Sequence, residues 1–150
     1  MHVEQFNCSC SFYKWYLLNT TNCYFNMDRR DISNLDDVKL LVNTFYGKVR
    51  EDKILAPVFN DRIGQAWSQH IEKMCWFWQT VLLEEHTYFG APFSRHVNLP
   101  VDHLHFEKWV ELFHSSVDAL FAGEKAEEAK WRGSKMAEMF EMKIKHPNTL

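Results

Sequence analysis

Trp67-Ser68-Gln69-His70-Ile71-Glu72-Lys73-Met74-Cys75-Trp76-Phe77-Trp78-Gln79-Thr80-Val81-Leu82 decides the fold. Trp67, Ile71, Met74, Trp78, Val81 and Leu82 recur at intervals of three and four, which is the period of one face of an α-helix. His70 falls on that same apolar face. The spacing predicts a helix from about Gln65 to Glu85.

Working outward, the same period occurs three more times. Towards the N-terminus, Val38, Leu41, Val42, Phe45, Tyr46 and Val49 form one stripe, with Ser33 as N-cap and Asp36 and Asp37 favouring the positive end of the helix dipole. This helix ends near Glu51, and Leu55-Ala56-Pro57-Val58-Phe59 reads as a turn or short helix because proline disrupts a helix interior. Towards the C-terminus a loose segment, His86 to Val101, is bounded by Gly90, Pro92 and Pro100. A third helix is expected from the N-cap Asp102 through Phe106, Trp109, Val110, Phe113, Val117 and Leu120, ending at Gly123. The fourth runs from Glu124 to about Lys145, with Ala129, Met136, Met139 and Phe140 inward, and Pro147 stops it. No strand alternation, internal repeat or low-complexity segment interrupts this order. The fold class is all-α.

Composition narrows the function classes. A net charge of −3 does not favour nucleic acid or an anionic membrane as partner. No segment approaches the ~20 apolar residues that span a bilayer. Cys8, Cys10 and Cys23 crowd the first 27 residues and leave only Cys75 in the body, which is no disulfide framework. With no basic start followed by an apolar run, an export signal is not expected, and the location is read as cytoplasmic. The Asn7 and Asn19 glycosylation patterns carry little meaning there. Residues 1–27 lack helical period and read as an extension: either a disordered segment, or upstream over-reading of the gene with Met27 as the initiator. Residues 28–150 are the expected domain.

Among eight histidines, His96, in the loose segment, and His70 matter most, because a neutral imidazole on an apolar wall can ligate haem iron. Taken singly, each is more often a surface or hydrogen-bonded core residue. Tyr46 has a hydroxyl that needs a partner, whether a backbone carbonyl or a polar ligand; Trp109 offers an indole N–H, and plain packing also accounts for it. His103 and His105 are two apart, share no helix face and are expected to be solvent-exposed. No second cysteine joins Cys75 to hold zinc or an iron–sulfur cluster.

Taken together, Phe45-Tyr46-Gly47-Lys48-Val49-Arg50-Glu51-Asp52, Leu55 to Phe59, Trp67-Ser68-Gln69-His70, Pro92-Phe93-Ser94-Arg95-His96 and, thirteen residues on, Trp109 resemble the group III truncated haemoglobins over roughly Asp36 to Met142. The resemblance implies a two-over-two helical sandwich around haem b. It implies His96 as the proximal iron ligand and Tyr46, Trp109 and His70 on the distal side. Phe59 would pack on the porphyrin, and Met74 and Trp78 would line the pocket. Arg95 is a candidate for a haem propionate by charge and position. The implied function is reversible binding of oxygen, NO or CO by a monomer, as in oxygen transport. The enzymatic alternative is peroxide reduction or nitric oxide oxidation, with electrons from an external reductase. A third reading has His70 itself in the sixth iron position.

Overall fold

The computed structural model describes residues 29–146, which include five α-helices and no strand. The helices are α1 (Leu35–Glu51), α2 (Leu55–Ile63), α3 (Trp67–Leu83), α4 (His103–Leu120) and α5 (Glu124–Lys145). A single 3-10 turn, Pro92–Arg95, interrupts the connection from α3 to α4. The pairs α1–α3 and α4–α5 pack as two layers, and α1 also lies against α4, giving the two-over-two sandwich. The extension at residues 1–27, with its cysteines and glycosylation patterns, and the stop at Pro147 lie outside the described residues.

The apolar stripe of α1 forms the centre of the core. Val38, Leu41, Val42, Phe45 and Val49 are buried, and they meet Phe113 and Val117 of α4 and Leu82 of α3. Full burial of a side chain of this size stabilises by about 1.5–3 kcal/mol. The N-cap of α1 is Asn34, one residue after the expected Ser33; its side-chain oxygen accepts from the Asp37 N–H at 3.1 Å. Ser33 bonds instead to the buried Asp37 carboxylate through both its N–H (3.0 Å) and its hydroxyl (3.1 Å). Burial pushes the Asp37 carboxyl up, but the Arg30 guanidinium and the two Ser33 donors outweigh it and hold the group below the usual carboxylate range.

The segment at Leu55 is a full nine-residue helix. Pro57 stands in its first turn, where a missing N–H costs no helical hydrogen bond. Asp52 accepts from the Ile54 and Leu55 N–H groups, each at 2.9 Å, and so starts it. The helix expected from Gln65 to Glu85 spans Trp67–Leu83, with Glu84 closing it in the left-handed region.

Gly123 does not end α4, contrary to expectation. That helix stops at Leu120, and Gly123 is the N-cap residue of α5, at φ +142°. A side chain there would collide with the Asp31 carboxylate. Asp31 takes the capping role from a distance, accepting from the Lys125 and Ala126 N–H groups at 2.8 Å each. Met139, expected inward, is 41% exposed on α5, because the buried stripe there runs through Gly133, Ala137 and Phe140.

Candidate functional site

His96 directly follows the Pro92–Arg95 turn, which is what orients it. Its Nδ1–H donates to the Pro92 carbonyl at 2.7 Å, and its backbone N–H to the Phe93 carbonyl at 2.8 Å. An imidazole that donates through Nδ1 keeps the lone pair on Nε2 free for a metal. Phe140 of α5 supports the ring, with centroids 4.7 Å apart. Burial lowers the pKa of His96, against the raising effect of the carbonyl bond, and Arg62 lowers it further.

His96 and His70 line one cavity of about 500 Å³, within the size range of small-molecule sites. Burial, followed by the nearby His96 and Lys73, pushes His70 down to about 4, so it is neutral at physiological pH. Its Nε2 is buried with no hydrogen-bond partner. Tyr46 projects from α1 onto the His70 ring, edge to face at 5.0 Å. Its phenol is held above the ordinary range by burial and by Cys75. Among the described residues neither the Tyr46 hydroxyl nor the Trp109 indole N–H has a protein acceptor. Trp67, by contrast, donates to Asn60 at 3.2 Å. A buried polar group usually finds a partner, so the unpartnered His70 Nε2, at a cavity that Tyr46 and Trp109 also line, marks a place for a ligand.

The residues that the resemblance assigns to the pocket line this cavity: Phe59, Met74 and Trp78 together with Tyr46, His70, His96 and Trp109. Phe59 stands 6.1 Å from the Tyr46 ring. Phe113 lies flat between Trp78 and Trp109, with centroids 4.7 and 5.1 Å away. The α5 backbone comes close enough behind it that a Cβ on Gly133 would meet the Phe113 ring at 2.9 Å.

Other lining residues were not anticipated. His105 is only 22% exposed and lines the cavity one helical turn before Trp109, while His103 is 65% exposed, as expected. His105 is drawn back by the α4 capping box, its Nδ1 lying 2.7 Å from the Asp102 carboxylate. The cations Arg62 and Lys73 join Arg95 on the lining, and no Asp or Glu is among the lining residues. Lys73 was legible as the residue three beyond His70 on the same helix; nothing local marks Arg62.

The arrangement fits a flat amphiphile with a metal at its centre and carboxylates at its edge. Its walls are apolar, imidazoles stand on α3 and on the turn, and the charged lining groups are cationic. Among the described residues no three His, Cys, Asp or Glu side chains are grouped to hold a metal ion. A metal here must therefore bring further ligands, as a macrocycle does.

Comparison with known proteins agrees. The family model described as bacterial-like globin matches residues 31–145. The group 3 truncated haemoglobin ctb of Campylobacter jejuni is 38% identical over 92 residues, covering 59% of this chain and 72% of that protein. The crystal structure of a group III truncated haemoglobin from Campylobacter jejuni superposes with a TM-score of 0.72 at 32% identity, covering 77% of this chain and 94% of the other. No described helix is long and apolar enough to cross a membrane. Helical layers, an imidazole-lined cavity and these matches place the chain in the bacterial-like globin family, in its group III truncated haemoglobin branch, a family that implies a haem cofactor.

Proposed function

We propose that the chain binds haem b with His96 as the iron ligand and reversibly holds oxygen or another diatomic ligand beside Tyr46, Trp109 and His70. One observation carries the reading. An imidazole whose Nε2 is freed by a 2.7 Å bond to the Pro92 carbonyl shares a cavity with the Tyr46 phenol, the Trp109 indole and a second imidazole, His70, whose buried Nε2 has no partner. When bound, haem supplies an iron centre with a coordination position open to a small ligand.

The remaining chemistry belongs to the side chains. Pro92 fixes the tautomer of His96, and Phe140 holds its ring. Phe59, Met74 and Trp78 exclude water from the faces of the cavity. Tyr46 O–H and Trp109 N–H are donors for a ligand that gathers negative charge. A hydrogen bond to a charged acceptor is worth about 1.5–3 kcal/mol, or about 10–150-fold in affinity. Burial keeps the Tyr46 phenol protonated, so it remains a donor at physiological pH. Arg62, Lys73 and Arg95 are the partners for the haem carboxylates, because none has a carboxylate of its own among the described residues.

The enzymatic alternative draws on His70. A neutral imidazole with an unpartnered Nε2 can accept a proton from peroxide, while an external reductase supplies electrons. Peroxide consumption that is no slower in His70→Leu than in the unaltered protein would remove this reading.

The test of the main reading is a haemin titration followed by absorption spectra of the ferric, reduced and carbon monoxide-bound forms, with His96→Ala alongside. The expected result is a sharp Soret band saturating near one haem per chain and altered in the variant. A broad, non-saturating band indifferent to His96 would overturn it. Low-spin ferric features that vanish in His70→Ala would place His70 in the sixth position.

A further inference from the structure

We propose that a second cavity, of about 330 Å³ beside the first, binds a planar aromatic anion. Lys73 and Trp76 of α3 form one wall, and Tyr88, Phe89 and Arg95 of the following segment form the other.

The cavity combines surface features that are costly to leave idle. Phe89 is 88% exposed and Trp76 is 42% exposed, so two large aromatic faces stand open to water at one spot. The segment that carries Phe89 is fixed in place. Thr87 donates through its hydroxyl to the Trp76 carbonyl at 3.1 Å, and the Thr80 hydroxyl accepts the N–H groups of Thr87 (3.1 Å) and Tyr88 (2.9 Å). Thr87 and Tyr88 are therefore tied to α3, and Phe89 follows them at the open edge of the recess.

Charge selects the occupant. No Asp or Glu lines this recess, and neither Lys73 nor Arg95 has a carboxylate within ion-pair distance among the described residues. In a chain of net charge −3, whose other lysines and arginines are often paired, two free cations beside two open aromatic faces are complementary to a ring bearing a carboxylate or sulfonate. Tyr88, Lys73 and Arg95 line both cavities, so an occupant would sit one side chain away from the first. On the haem reading, Arg62, which lines only the first cavity, and one of Lys73 and Arg95 balance the two haem carboxylates, and the other of that pair is left for a monoanion.

The test uses the purified chain, with its haem content read separately from the Soret band, so a failure of haem binding and a failure of this site are distinct. The protein is titrated with 2-naphthoate and with neutral 2-naphthylmethanol, following the Trp76 indole N–H and the Phe89 amide by nitrogen-15 NMR. The expected result is saturable shifts confined to residues 73–95, with the anion bound at least about three- to fivefold more tightly than the alcohol. Trp76→Leu, read at the Phe89 amide, should weaken binding about tenfold, as loss of an aromatic stacking face does. Arg95→Gln should weaken the anion about threefold and leave the alcohol unchanged. Equal binding of the two compounds, shifts spread over other surfaces, or indifference to Trp76→Leu would overturn the proposal.

Discussion

Removing the carboxylate of Asp31 tests the account of how the second layer is fastened to the first. Asp31 accepts three backbone N–H groups, those of Ile32, Lys125 and Ala126, each at 2.8 Å. Gly123, at the N-cap position of α5, offers no side-chain cap of its own, so Asp31→Ala strips the start of that helix of its acceptor. Loss of an N-cap costs about 0.5–2 kcal/mol. Ala126 is 1% exposed, so water cannot readily replace the lost partner, and a stranded buried donor costs about 1–3 kcal/mol. The two ranges sum to about 1.5–5 kcal/mol, or a fall in Tm of about 3–20 °C for a chain of this length. Thermal and urea unfolding followed by circular dichroism at 222 nm would measure it. Gly123→Ala should be destabilising too, since a Cβ there meets the same carboxylate at a backbone angle that favours glycine. Because both changes disable one cap, their combined cost should fall short of the sum by more than about 0.5 kcal/mol. A loss below about 0.5 kcal/mol for Asp31→Ala, or strict additivity in the double variant, would refute the reasoning.

Other expectations concern the cavity. Tyr46→Phe and Trp109→Phe should each speed oxygen dissociation several-fold in stopped-flow measurements, and unchanged rates in both would remove these residues as donors. His70 is pushed down to about 4 in the folded chain from an ordinary value of 6.5, so between those values the unfolded chain binds more protons. The stability it contributes is complete above about pH 6.5 and is lost as pH falls towards 4. His70→Leu should therefore show a smaller drop in urea midpoint between pH 7 and pH 4.5, and an equal drop would contradict the assignment. Gly133→Ala should cost about 1–3 kcal/mol by forcing Phe113 out of the stack with Trp109, and near-ultraviolet circular dichroism should register the disturbed rings. A variant as stable as the parent, with the same near-ultraviolet spectrum, would show that α5 moves aside instead.

The repeating stripes were readable because burial imposes one period on a whole helix. Val38 to Val49 and the face through Trp78 and Leu82 are packed as their spacing indicates. The irregular character of the His96 segment also followed from its proline and glycine boundaries. Residues that act across large sequence separations were not readable. Asp31 caps a helix that begins 93 or more positions later, so no local motif announces it, and Gly123 looked like an ending when it is a beginning. The choice of Asn34 over Ser33 turns on Ser33 being engaged by buried Asp37, which no capping rule contains. His105 was misjudged because its capping-box bond to Asp102 draws it inward, and Met139 because small residues, not a methionine, carry α5 against its neighbours. The cavity itself was foreseen only as an ordered set of residues. Arg62 could not be anticipated, because its role depends on α2 meeting the segment of Arg95, whose carbonyl accepts from it at 3.1 Å.

The sandwich of Phe113 between Trp78 and Trp109 also makes the protein its own optical gauge. Two indoles form part of the cavity wall, while Trp131 of α5 does not line it and is 58% exposed beneath the guanidinium of Arg132. Indoles in an apolar wall emit at shorter wavelength than indoles in water, and any strongly absorbing occupant of the cavity drains the former first. Filling the cavity should therefore dim the blue edge of the emission before the red edge, so the colour of the intrinsic fluorescence, without any label, reports whether the space between the helical layers is taken.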